Sequence, residues 1–256
     1  YFLLLYKNME AGDSMCSKIY TCHPCCSFWQ VLSCRIYTLP RWNYLPALGD
    51  ELVRILLTGA SGMVGSHLAE LLVSEVQEVY GLLRWRSPRE NLRDVLDKIQ
   101  LVECDLLDQG GLVRVMQEVR PDVVYHLAAQ SDVQTSFNAP VNTLQVNVIG
   151  TCNLLEAIRT AAWTPYEHCA YPRLVVSSSS ECYGQPLPHE VPITERNPLR
   201  PASPYAVSKA AMDLLCAQYH LSYGLPIIRT RLFTHSGARR GPVFKESPFL
   251  PPMKTA

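Results

Sequence analysis

From residue 52 onward the chain alternates short apolar runs with stretches whose apolar residues recur every three or four positions. Residues 52–57 are apolar apart from Arg54, the pattern of a strand buried on both faces. Behind them Val64, Leu68, Leu71 and Leu72 step at helical spacing. The same pairing repeats. Strands are predicted over 79–83, 100–104, 123–127, 174–177 and 226–230, and helices over 112–119, 141–160 and 205–223. Pro121 stops the second helix. Strands alternating with helices predict an α/β fold, a doubly wound parallel sheet of Rossmann type.

Residues 1–50 lack either period, and Pro40 and Pro46 punctuate their end. They read as a poorly ordered or foreign leader, the more so because the chain starts with Tyr. Five of the ten cysteines (Cys16, Cys22, Cys25, Cys26, Cys34) fall there. Cys22-His23-Pro24-Cys25-Cys26 suggests zinc, but a structural site needs a second ligand pair and only Cys34 follows nearby, so no metal is expected. The other cysteines are scattered singly, as buried thiols of an intracellular enzyme would be.

Lys plus Arg and Asp plus Glu both total 23, which gives no electrostatic reason to expect a nucleic-acid partner. A hydrophobic content of 48% supports a real core, and no apolar run reaches membrane-span length. The opening apolar stretch is six residues long and has no cleavage-site pattern. A soluble, cytoplasmic protein is expected.

The first strand runs directly into Thr58-Gly59-Ala60-Ser61-Gly62-Met63-Val64-Gly65 and then into a helix. Strand, glycine-rich turn and helix in that order are the context a dinucleotide fingerprint requires. Gly59 permits the tight turn, Gly62 lets backbone approach a pyrophosphate, and Gly65 allows close helix–strand packing. An NAD site usually ends the second strand with an acid that holds the ribose 2′-hydroxyl. Here Leu83 is followed by Arg84, Trp85 and Arg86. Two guanidiniums suit a 2′-phosphate, so NADP is favoured over NAD. Asp105 and Leu106 fall at the third strand's end, where an adenine could sit. Leu127, Ala128, Ala129, Gln130 and Ser131 end the fourth, with small residues that admit a flat ligand. His126 and His168 belong to no constellation and are read as structural.

The segment 177–211 carries the chemistry. Ser179, Ser180 and Glu181 follow the apolar run 173–176, where a parallel strand should end and the active sites of open α/β sheets lie. Tyr205 and Lys209 are four apart and share a helical face. A free tyrosine, with a pKa near 10, is about one part in a thousand ionised at pH 7. Lys209 beside it favours phenolate, and a drop of about three pH units, worth about 4 kcal/mol, would make Tyr205 a base at neutral pH.

Together TGASGMVG, LAAQS, SSSECYG, PYAVSK and THSGARRG resemble an extended short-chain dehydrogenase/reductase acting on nucleotide sugars, nearest the GDP-mannose 4,6-dehydratases of the NAD-dependent epimerase/dehydratase family. The resemblance covers residues 52–247. It implies catalytic roles for Ser179, Glu181, Tyr205 and Lys209. It also implies cofactor contacts from Gly59, Ser61, Gly62, Met63, Val64, Gly65, Arg84, Arg86, Asp105, Leu106, residues 127–131, Tyr205, Lys209, His235 and Arg240. The implied reaction is redox-neutral: Tyr205 deprotonates the sugar 4-OH as hydride leaves C4, and Ser179 supports the ketone. Glu181 takes the C5 proton and helps expel the 6-OH, and hydride returns to C6. An epimerase, decarboxylase or reductase of the same superfamily, or an inactive nucleotide-binding fragment, is the alternative.

Three departures stand out. Thr234 replaces a usual Asn, Asn142 replaces a usual cofactor-contacting Tyr, and the likeness fades after Ser247 into Pro-rich FLPPMKTA. The expected organisation is a leader at 1–50, an NADP-binding Rossmann domain with the catalytic residues at 51–241, and a remnant of a smaller substrate domain at 242–256. The resemblance implies that most of that domain is missing, as expected of an incomplete gene product. The expected partners are a nucleotide sugar and, through helices of the nucleotide domain, a second copy of the chain. Arg239 and Arg240 could reach into that neighbour.

Overall fold

The computed structural model describes residues 53–75, 77–161 and 171–241. The leader with its Cys-His-Cys cluster, His168 and the 242–256 tail therefore lie outside the described residues.

Six parallel strands form one sheet in the order β3-β2-β1-β4-β5-β6. They are β1 (Arg54–Thr58), β2 (Glu78–Leu83), β3 (Gln100–Glu103), β4 (Val123–His126), β5 (Arg173–Ser179) and β6 (Ile227–Leu232). The chain builds outward from β1 to β3, then returns to β1's other edge and builds outward again. That reversal leaves a crevice at the carboxyl ends of β1 and β4, where ligands of open α/β sheets bind.

Strand side chains alternate between faces, and both faces are apolar. Ile55, Leu57, Tyr125, Val175 and Ile228 pack with Leu68, Ala69 and Leu72 of α1 (Met63–Ser74). Leu56, Val124, Leu174 and Val176 pack on the opposite side with α2 (Gln109–Val119), α5 (Gly150–Thr160) and α6 (Pro204–Tyr223). A period of two with both faces apolar demands helices on both sides, which is the doubly wound fold the sequence predicts.

Local boundaries differ instructively. β5 continues through Ser177, Ser178 and Ser179 because their backbones pair with Thr230, Arg231 and Leu232 of β6. A short helix, α3 (Val133–Asn138), starts where the Asp132 carboxylate accepts the Thr135 amide at 2.6 Å. The long helix predicted over 141–160 is continuous but not uniform. It opens as α4 (Pro140–Leu144), widens into a π turn over Gln145–Ile149 and resumes as α5.

Candidate functional site

At the switch point Gly59 has φ +71, and a β-carbon there would sit 2.8 Å from the Ala128 nitrogen. Only glycine lets the β1 turn lie this close to the backbone after β4. A β-carbon on Gly65 would collide with the Gly59 carbonyl and with Ala60, so glycine is needed where α1 meets the turn. The N-terminus of α1 has Gly62 as its cap, with no capping side chain and no acid in its first turn. Its leading amides and the positive end of its dipole are therefore not neutralised by a side chain, the arrangement that suits an anion.

Thr58, at the end of β1, ties the two half-sheets together. Its hydroxyl accepts the Leu127 and Ala128 amides, each at 3.2 Å, and lies 2.8 Å from His126 Nδ1. The far ring nitrogen, Nε2, is 2.9 Å from Thr151 Oγ1, which itself donates to the Asn147 carbonyl. Thr151 can then only accept from Nε2–H, so Nδ1 accepts from Thr58. Burial, followed by the Lys209 charge, drives the His126 pKa down to about 3 and keeps the ring neutral. This histidine is a structural bridge, as its lack of chemical neighbours in the sequence suggested.

Asn147 sits in the π turn, 1% exposed. Its amide accepts from the Gln130 nitrogen, donates to the Gln130 carbonyl and donates to Ser208 Oγ, at 2.8, 2.9 and 2.8 Å. The sequence marked Asn147 only as a helix residue. Its two distant partners, Gln130 and Ser208, give no local signal.

Ser179 ends β5, and its Oγ accepts the Glu181 amide at 3.2 Å, starting the single turn Ser180–Tyr183. Glu181 is exposed beside it. On α6, Tyr205 and Lys209 are both buried, with the ammonium 5.9 Å from the phenol ring centre. Lys209 Nζ donates to the Ser177 carbonyl at 2.8 Å, while Ser178 Oγ donates to the Lys209 carbonyl at 3.3 Å. The β5 end and the α6 face are thus stitched together, bringing Ser179, Glu181, Tyr205 and Lys209 to one corner.

The electrostatics correct one expectation. Burial pushes the Tyr205 phenol up, the Ser179 hydroxyl pulls it back, and the charges at Cys182 and Glu181 raise it further. Lys209 does not bring it into the neutral range. Burial lowers the Lys209 ammonium itself, to about 8. Within this chain desolvation outweighs the cation.

Asp213 is one helical turn beyond Lys209 and fully buried. It receives Arg229 at 2.7 Å and Arg231 at 2.9 and 3.1 Å. Arg231 also reaches the Tyr183 hydroxyl at 3.0 Å and the Glu195 carbonyl at 3.2 Å. Tyr205, Lys209 and Asp213 form an i, i+4, i+8 row, a helical signal that could have exposed this anchor.

At the ends of β2 and β3 lies a cavity of about 420 Å³ lined by Arg84, Trp85, Glu103, Cys104, Asp105 and Asp108. The Arg86 guanidinium stacks 4.0 Å over the Trp85 ring. Leu106 is buried beneath Gly150 rather than in this cavity. His235 and Arg240 lie on the strap after β6, with Arg240 Nη1 3.1 Å from Ser236 Oγ. The strap passes α1, since a β-carbon on Gly237 would lie 4.0 Å from Met63 Sδ. Arg239, which the sequence offered as a residue that could reach a neighbour, bonds Glu70 and Asp94 of its own chain.

A glycine-rich turn at the switch point and a Tyr–Lys pair beside the neighbouring strand end define an α/β protein of the epimerase/dehydratase type. The chain belongs to the GDP-mannose 4,6 dehydratase family, whose model matches residues 56–253. It is 39% identical over 202 residues to a GDP-mannose 4,6-dehydratase of Vibrio cholerae, covering 74% of this chain and 51% of the relative. It is 36% identical to GDP-mannose 4,6 dehydratase 2 of Arabidopsis thaliana, covering 74% and 52%. Among solved structures it resembles DesIV, a dTDP-glucose 4,6-dehydratase from Streptomyces venezuelae with NAD bound, at TM-score 0.66 and 34% identity, covering 74% of this chain and 58% of that one. The Brucella ovis UDP-glucose 4-epimerase in complex with NAD gives TM-score 0.64 and 31% identity, covering 73% and 53%. The chain spans about half the length of the curated relatives it matches.

Proposed function

We propose that this chain carries the nucleotide-binding and proton-transfer half of a nucleotide-sugar 4,6-dehydratase, with GDP-mannose as substrate and NADP as cofactor. The single observation that carries the reading is the corner where Ser179, Glu181, Tyr205 and Lys209 meet. A nicotinamide dinucleotide fits what is present. Gly59 and Gly65 leave no room for a β-carbon in the turn, α1 presents an uncapped N-terminus, and Arg84 lines the β2–β3 cavity with Arg86 stacked on Trp85 beside it. Gly59, Ser61, Gly62, Met63, Val64 and Gly65 would hold the pyrophosphate, and Leu127–Ser131 the central crevice. Bound there, the nicotinamide supplies the acceptor and donor of a hydride.

Tyr205 takes the proton of the sugar 4-OH, and Ser179 hydrogen-bonds the oxygen that becomes a ketone. The ketone acidifies C5–H, and the Glu181 carboxylate removes that proton. Glu181 then delivers it to the 6-OH, which leaves as water, and C5 is reprotonated with the proton that Tyr205 took from the 4-OH, so the substrate loses one water overall. Lys209 holds its charge close to the Tyr205 ring through the Ser177 carbonyl. Glu181 distinguishes this reading from the 4-epimerase reading, which the likeness to UDP-glucose 4-epimerases favours, because epimerisation at C4 needs no carboxylate at C5.

Incubation of the protein with NADP⁺ and GDP-mannose should give a nucleotide sugar lighter by one water. Glu181→Gln should lower its formation at least about 100-fold, the scale of a lost general base. Full dehydration by Glu181→Gln, or conversion only to an isomer of unchanged mass, would sink the dehydratase reading. Nucleotide binding with no turnover on any nucleotide sugar would make the chain a binding fragment. We also propose that the chain pairs with a second copy. Val207, Leu214 and Leu221 stand exposed at seven-residue intervals on α6, a seam that suits a facing helix.

A further inference from the structure

We propose that Trp85 is the positioning residue for cofactor choice: its indole holds the Arg86 guanidinium at the rim of the β2–β3 cavity, and this stacked pair selects a nucleotide bearing a 2′-phosphate. The proposal rests on the dinucleotide reading above and extends it to a residue outside the fingerprint.

The local backbone supports it. The Ser87 amide bonds the Arg84 carbonyl at 3.0 Å, closing a four-residue turn directly after β2. Arg86 occupies the third position of that turn with φ +59. Glycine or asparagine ordinarily takes such a position, because a β-carbon is crowded there. Arg86 therefore holds an unfavourable conformation, and the compensating contact is its stack on Trp85. Trp85 itself is 68% exposed and lines the cavity, so its burial does not explain an aromatic residue at this site.

The cavity needs such a device because its other groups are divided. Asp108 caps α2 through the Gly111 amide and pairs with Arg114, and Asp105 accepts the Leu107 amide. Glu103, exposed at the end of β3 opposite Leu83, is the carboxylate best placed to accept a ribose hydroxyl. With Arg86 held on the indole beside the cavity a phosphate is welcome. With Arg86 loose, Glu103 tips the cavity toward a plain ribose.

Calorimetric titration with adenosine 2′,5′-bisphosphate and with 5′-AMP tests this, because the two probes differ only by the 2′-phosphate. Wild type should prefer the bisphosphate. Trp85→Leu and Arg86→Leu should each weaken bisphosphate binding about tenfold, the worth of one charge-assisted contact, with AMP affinity little changed. The double variant should be no worse than either single one, and Trp85→Phe should restore most of the preference. An unchanged preference in Trp85→Leu would overturn the proposal. So would equal loss of both probes, which would make Trp85 a simple stacking platform. Wild type that binds the bisphosphate no better than AMP would also refute it. Wild type that binds neither probe nor NADP would remove the dinucleotide reading beneath it.

Discussion

At the scale of single residues, buried charge is the dominant effect. Lys209 is 3% exposed, and burial holds its pKa near 8, below the 10.5 of an exposed lysine. Below pH 8 both folded and unfolded chains hold the proton, and folding bears the full penalty of burying an ammonium. Between pH 8 and 10.5 the folded chain releases the proton first, so the unfolded state binds more protons and stability rises with pH. Urea unfolding at pH 7.5 and pH 10 should show wild type gaining up to about 3 kcal/mol relative to Lys209→Met. A constant difference between the two would show that the ammonium is not desolvated. Tyr205 and Lys209 were legible in the sequence because four-residue spacing is a local signal. The sign of their electrostatics was not, since it depends on how deeply α6 packs against β5.

Among the elements, β5, β6 and α6 behave as one unit. Asp213 is the pin, with two arginines from β6 converging on a carboxylate that has no contact with solvent. Asp213→Ala leaves the Arg231 guanidinium, 14% exposed, without its principal partner. It should cost about 3–5 kcal/mol, the range for breaking a buried pair. It should also loosen Tyr183 and the turn bearing Glu181. Chemical denaturation measures the first effect, and a loss below about 1 kcal/mol would mean that water or relaxation replaces the carboxylate. The sequence placed β5, but ended it early, at Ser177, because a run of serines after Val176 looks like a loop. Their polarity is satisfied by Lys209 and Cys182 from other elements, which no local pattern reveals. Helix α3 escaped for a related reason: six polar-rich residues carry no periodicity, and only the Asp132 cap marks the start.

For the whole molecule, the alternation of apolar strands and amphipathic helices was enough to predict the parallel, doubly wound sheet. The order of strands itself follows from the crossover, not from any one segment. What lay beyond the sequence were the joints between distant segments, at Asn147 and Asp213. The exposed seam on α6 belongs to this scale too. Light scattering should find wild type as a dimer or larger assembly, and Leu214→Glu, which places a charge midway along the seam, should shift it to the monomer. Identical masses for both would remove the seam as the contact.

Asn147 gives the molecule a mechanical character. One amide carries both the loop at Gln130 and the helix at Ser208, and Ser208 is the neighbour of Lys209. The two segments are leaves hung on a single hinge pin, with no slack between them. A displacement of the crevice loop therefore has to break these bonds or carry with it Ser208, the neighbour of the buried ammonium's residue.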